Sequence, residues 1–156
     1  MAWSETLSRL ILALWWGSLT SLGAWVVPQL FVHAPTPALA GGLAAHLFST
    51  QNAVGLVAAV LFSGFQFFSG GLNALLWRWQ WALVLAVVLA IELSEFLVFP
   101  LIMARENLKL WHSVGSGLFL LEWLCLTRLL WQKNATPLEP TEPTEPTEPT
   151  EPTEPT

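Results

Sequence analysis

Four stretches of this chain, Leu7–Val27, Ala53–Leu76, Trp79–Phe99 and Leu110–Trp131, stay apolar along their whole length. Each is about as long as a helix that crosses a bilayer, roughly 20 residues. Their apolar positions do not form one face with polar positions opposite; they run nearly all the way round. That pattern belongs to helices surrounded by lipid or by other membrane helices. It predicts an all-α, four-span transmembrane helical bundle over residues 1–136, with a tail of different character over 137–156.

The breaks between spans are marked by proline, glycine and polar residues. Pro28 stops or kinks the first span, and Ala34-Pro35-Thr36-Pro37 reads as a turn. Pro37–Thr50 then reads as a helix rich in small residues, extending or preceding the second span. Gly41 with Ala45, and Gly55 with Ala59 and Ser63, stand four apart and form stripes that permit close helix packing. A single helix over Pro37–Phe68 would be about 48 Å long at 1.5 Å per residue. A hydrocarbon core is about 30 Å thick, so part of such a helix must project, tilt or break, with Ser49-Thr50-Gln51-Asn52 the favoured place, and Gly70-Gly71 is a candidate break further on. Pro100 closes the third span, and Arg105-Glu106-Asn107-Leu108-Lys109 is the next connection.

Charge and tryptophan refine this picture. The formal charge is −5, but the tail is six copies of Glu-Pro-Thr from Glu139 onward. Without it the chain carries Arg9, Arg78, Arg105, Lys109, Arg128 and Lys133 against Glu5, Glu92, Glu95, Glu106 and Glu122, a net of +1. No basic patch for nucleic acid is present. Proline at every third tail position forbids helix and strand pairing, so an extended, disordered segment is expected. With four spans, Arg9, Arg78, Arg128 and Lys133 fall on one side of the membrane and Arg105 and Lys109 on the other. Four against two places both termini in the cytoplasm, in an inner or plasma membrane. Trp3, Trp77, Trp79, Trp81 and Trp131 then sit at the inner interface, and Trp25 and Trp111 at the outer one. Trp15, Trp16 and Trp123 fall mid-span as packing residues. Ser21-Leu22-Gly23 resembles a signal cleavage site, but apolar sequence continuing to Phe31 favours an uncleaved helix. A faint repeat links Arg9, Trp25-Val26-Val27-Pro28-Gln29-Leu30 and His46 to Arg78, Leu97-Val98-Phe99-Pro100-Leu101-Ile102 and His112. It reads as two repeated helical hairpins.

Candidate chemistry is confined to a few residues. Glu92, Glu95 and Glu122 lie inside spans, where a charge is costly and usually faces the bundle or a cavity. Glu92 lies roughly 12 Å from the outer end of its helix and Glu122 roughly 16 Å, at helical rise. The two carboxylates could approach each other between antiparallel helices, where a pair would favour a shared proton or a bound cation. The alternative is a protonated Glu hydrogen-bonded to a neighbouring helix. His33, His46 and His112 lie near the outer span ends, at the depth of Glu95, and together they form a transition-metal candidate set. His46 and His112 are also candidate haem ligands on facing helices. None of these has a recognised ligand spacing. Cys125 is the sole cysteine, a packing thiol with no disulfide partner. No nucleophile–base pair, P-loop or dinucleotide fingerprint occurs, so no enzymatic activity and no cofactor are expected from motifs; haem or copper enters only through the histidines.

Several short motifs carry a family resemblance: Arg9 with Leu14-Trp15-Trp16-Gly17, Val26-Val27-Pro28-Gln29-Leu30-Phe31, Ala40-Gly41 through Leu47-Phe48, and Phe99-Pro100 with Leu110-Trp111-His112-Ser113-Val114. Together they resemble the transmembrane-protein-205-like family, the domain of unknown function 4149, over about Leu7–Arg128. The resemblance implies a four-helix integral membrane protein of undefined biochemical role. A more distant likeness to copper-resistance and haem-linked membrane families would point to the histidines. Where a His-Gly pair is expected the chain has His112-Ser113, which weakens that link. Three functions stand open. The first is handling of a cation or metal, or modulation of transport, through Glu92, Glu95 and Glu122. The second is a scaffold that packs a homo-oligomer or a membrane partner through its small-residue stripes. The third is haem or copper binding through His46 and His112.

Overall fold

The computed structural model describes residues 2–76 and 79–134, with side chains placed over 3–68 and 79–132. Trp77-Arg78 and the triplet tail lie outside these. The described chain forms four helical rods. The first joins α1 (Ala2–Ser21), a π-helical turn π1 (Leu22–Val26) and α2 (Val27–His33); the second is α3 (Pro37–Leu76). The third joins α4 (Gln80–Leu93), a second π-turn π2 (Ser94–Val98) and α5 (Phe99–Met103); the fourth is α6 (Leu108–Asn134). Each rod contains a segment long and apolar enough to cross a membrane: Trp3–His33, Pro37–Phe68, Gln80–Met103 and Leu108–Gln132.

Short connections force consecutive rods to run antiparallel. α1 packs on α3 and α6, and α4 packs on α3 and α6. The rods therefore stand at the corners of a square, in chain order. The centre of the square is filled by Leu12, Trp15, Phe62, Val87, Ile91 and Leu126, each almost fully buried. On α1 the buried positions Ser8, Leu12, Trp15 and Leu19 recur at intervals of four and three. That is the seam of a left-handed bundle. The outward positions are equally apolar: Leu14, Val60 and Phe96 are 73, 71 and 76% exposed. Acyl chains solvate such a surface, and helical hydrogen bonding keeps the backbone polar groups of the spans away from lipid.

The two prolines are accommodated in the same way. A proline has no N–H to donate, and its ring crowds the carbonyl four residues back. In each rod a widened π-turn precedes it, where Val27 N–H reaches Leu22 O and Phe99 N–H reaches Ser94 O, five residues back. π1 and π2 stand 72 positions apart, as do Pro28 and Pro100. The hairpin repeat read from the sequence thus reappears as matched backbone distortions. The turn at Ala34-Pro35-Thr36 also forms as expected, and Thr36 Oγ1 accepts the Leu39 N–H at 3.2 Å to cap α3.

Neither candidate break occurs, which leaves projection or tilt for so long a helix. α3 is continuous through Ser49–Asn52 and through Gly70-Gly71. At 40 residues it is about 60 Å long. The polar run does not break the helix because each of its side chains finds a partner without disturbing the backbone. Ser49 and Asn52 reach Glu95, Thr50 donates to the His46 carbonyl, and Gln51 reaches Ser18.

The tryptophans read as packing residues do more than fill space. Trp16 Nε1 donates to Thr127 Oγ1 at 2.8 Å, and Trp123 Nε1 donates to Thr20 Oγ1 at 2.9 Å. Each threonine in turn donates to the carbonyl of the tryptophan on its own helix, Thr20 to Trp16 and Thr127 to Trp123. The four residues form a reciprocal clasp that joins the first and last rods. Such interhelical bonds average about 0.6 kcal/mol and reach about 1.7 kcal/mol in membranes.

The small-residue stripes face inward. Gly55 is buried where three rods meet; a Cβ there lies 2.9 Å from Ile91 Cδ1 and 3.1 Å from Trp15 Nε1. Ala45 and Ala59 are buried, while Gly41 and Ser63 are half-buried. Gly17 on α1 has open space around it. Gly55→Ala is therefore expected to lower stability by about 1–3 kcal/mol, the usual cost of overpacking. Gly17→Ala is expected to be neutral or stabilising, through helix propensity alone. Reversible denaturation of the two variants in mixed micelles measures the difference.

Candidate functional site

Beyond the packed core, near the end that carries the 34–36 and 104–107 connections, the rods enclose a cavity of about 370 Å³. The small residues Gly41, Ala44, Ala45 and Gly115 open this space, and the π-turns widen it. Each rod contributes one phenylalanine to the wall: Phe31, Phe48, Phe99 and Phe119. Phe119 leans onto Gly23 of π1, where a Cβ would come within 2.4 Å of the ring. Phe48 meets the same ring edge-on, at 5.5 Å between centroids.

Into this mostly apolar space project two carboxyl groups. Glu95 lies within π2, one turn beyond the buried Ile91. Its Oε1 accepts from Ser49 Oγ at 2.7 Å and its Oε2 from Asn52 Nδ2 at 3.2 Å. Both oxygens are thus oriented from α3. Glu122 of α6 lines the same cavity and is only 3% exposed. No hydrogen bond from a described residue reaches it. Yet no described side-chain oxygen sealed from open space lacks a partner, so the Glu122 oxygens open onto the cavity. Ser94, Ser116 and His112 complete the polar lining.

The structure sorts the sequence candidates. Glu95 and Glu122 come to one cavity. Glu92, the other candidate partner for Glu122, is not among the residues that line it. Along the third rod the core stripe passes through Val87 and Ile91 of α4 and Val98 of π2. Glu95 follows Ile91 by one turn, whereas Glu92 is the next residue and lies about 100° round the helix.

The histidines do not assemble. His33 is exposed, with Nδ1 3.0 Å from the Gln29 carbonyl. His46 is exposed and meets Phe99 edge-on at 5.7 Å. His112 is exposed and lines the cavity, so it sits at the rim. Among the described residues no three His, Cys, Asp or Glu side chains converge to hold a metal ion. His46 is not part of the cavity wall, so a haem held between His46 and His112 does not fit. The partners of Glu95 were missed in the sequence. Their signal was present, as a polar run inside an apolar stretch, but it was read as a helix break.

Four apolar rods around a small acidic cavity define a multi-pass membrane protein. The chain belongs to the family described as Domain of unknown function (DUF4149), whose model matches residues 10–109. The match takes in the first three rods, with Glu92 and Glu95, and ends before His112 and Glu122. No curated protein and no solved structure matches the chain.

Ser49→Ala is expected to lower stability by about 1–3 kcal/mol, because it takes a donor from a partly buried carboxylate. In a Glu95→Leu background the same change should cost much less. A double-mutant cycle in mixed micelles reads that coupling; additivity would contradict the assigned bond.

Proposed function

We propose that this protein is a non-catalytic, cation-binding protein of the membrane that holds or passes a positively charged solute at Glu95 and Glu122. The observation that carries this reading is Glu122, a carboxyl group almost wholly buried to which no described residue donates a hydrogen bond. A carboxyl group in that position costs stability unless an opposite charge or a donor meets it. Glu95, already oriented by Ser49 and Asn52, supplies a second acceptor facing the same space. The excess of Lys and Arg on the side shared by the termini supports cytoplasmic termini, so the cavity opens toward the outer face.

The scaffold reading has less support. It relied on small-residue stripes being available to partner helices, and Gly55 and Ala59 are spent on contacts within the bundle.

Removal of an unpartnered buried polar group stabilises a fold while it destroys the site it serves. Glu122→Leu is expected to raise stability in cation-free buffer by about 1–3 kcal/mol. The wild-type protein is expected to gain melting temperature as potassium, magnesium or methylammonium chloride is added at constant ionic strength, and Glu122→Leu is not. A wild-type protein indifferent to all three salts, with a variant no more stable than the parent, would contradict the reading.

A further inference from the structure

The cavity is far too large and too apolar for a bare ion. Its volume of about 370 Å³ corresponds to about twelve waters at roughly 30 Å³ each. A metal ion needs four or more ligands, drawn inward to coordination distance. Here the donors are two carboxylates on different rods, and one of them already accepts from Ser49 and Asn52. His112 lines the same cavity from its rim, but among the described residues no three acidic, histidine or cysteine side chains converge to hold a metal ion. An ion stripped of water against these walls would lose more hydration than the site returns.

The walls themselves point elsewhere. Phe31, Phe48, Phe99 and Phe119 come from four different rods and line a space shared with Glu122, a buried carboxyl group to which no described residue donates a hydrogen bond. The face of an aromatic ring attracts a cation, and weakly hydrated alkylammonium groups use this attraction best. Such a cation needs no fixed ligand geometry. Its charge is met by a nearby carboxylate and its carbon atoms by apolar walls. We infer that the cavity takes an organic ammonium ion with an apolar body, its nitrogen held against Glu122 and its carbon frame packed among the four phenylalanines.

The inference deepens the cation-binding reading of the same site and rests on it. It assigns Glu122 the charge, Glu95 the oriented far wall, and the phenylalanine ring the selection for carbon over water. Gly23 belongs to the same device. It leaves room for the Phe119 ring to lie back on π1, so a side chain at residue 23 drives that ring toward the cavity.

The test is equilibrium dialysis of radiolabelled benzyltrimethylammonium against the full-length protein in mixed micelles, with potassium, magnesium and zinc ions as competitors. The expected result is saturable binding at one ion per chain that the metal ions do not displace. Glu122→Gln, which keeps the shape of the side chain, should weaken binding at least tenfold. Phe48→Leu and Phe119→Leu should each weaken it about 2- to 30-fold, the range a cation–π contact of about 0.5–2 kcal/mol supplies. Three results would overturn it. If zinc, magnesium or potassium binds in a Glu122-dependent way and benzyltrimethylammonium does not, the organic ligand is wrong and the cation site stands. If neither kind of cation binds, both readings fall. If benzyltrimethylammonium binds equally well to Glu122→Gln and to both phenylalanine variants, it partitions into micelle or bundle without using this site. The melting temperature of each variant, measured alongside, identifies any loss of binding that comes from unfolding.

Discussion

In a bilayer every polar group must find its partner inside the protein, because acyl chains offer neither donors nor acceptors. That constraint organises this molecule. It makes all the described spans helical and turns polar side chains back on the chain. Ser8, Thr50 and Ser113 donate to carbonyls four residues before them, as do Thr20 and Thr127. It joins the first and last rods through the tryptophan–threonine clasp, and it ties α3 to π2 through Ser49, Asn52 and Glu95. The same constraint makes Glu122 conspicuous. In a fold where polar groups are met throughout, a buried carboxyl group without a donor marks a place that something else must complete.

The repeat shows how such a site arises from a plain scaffold. Each half is a helical hairpin in which a π-turn relieves the proline near the end of its first rod. At the offset of 72 residues that relates the two π-turns, Glu95 corresponds to Gly23. One half therefore presents a carboxylate to the cavity. The other presents a gap that the Phe119 ring fills. π-Turns commonly occur at functional positions. Here they bring Glu95 and Gly23 to the cavity wall, and the difference between those two side chains is one source of its polarity beside Glu122.

The sequence carried the architecture plainly and the site only in part. Four apolar runs of bilayer length, with proline and glycine punctuation, define four spans with little ambiguity. The inward seam was hidden, since lipid-facing Leu14 and core-facing Leu12 are the same residue type. In a soluble protein the polar face reveals the core; in lipid it does not. The three intramembrane glutamates were visible, but which two meet depended on helical phase, and only the structure separates Glu92 from Glu95. Ser49–Asn52 reads as a place for a break because its tertiary partners, Glu95 and Ser18, lie 33 to 46 residues away in sequence. The clasp left a trace, tryptophan followed four positions later by threonine at Trp16–Thr20 and Trp123–Thr127. It went unread because it has meaning only when the two helices are antiparallel neighbours.

The central claim, an acidic cavity enclosed by a lipid-solvated bundle, is tested most directly by cysteine accessibility in liposomes. Cys125, the one native cysteine, is buried and can be replaced by alanine. Ser94 lines the cavity, whereas its neighbour Leu93 is 46% exposed on the outer surface. The two stand at nearly the same depth on one rod. Ser94→Cys is expected to react with a cationic, water-soluble thiol reagent faster than with its anionic counterpart, and Leu93→Cys with neither. Equal reactivity at the two positions, or an anionic reagent as fast as the cationic one at Ser94→Cys, would contradict the account.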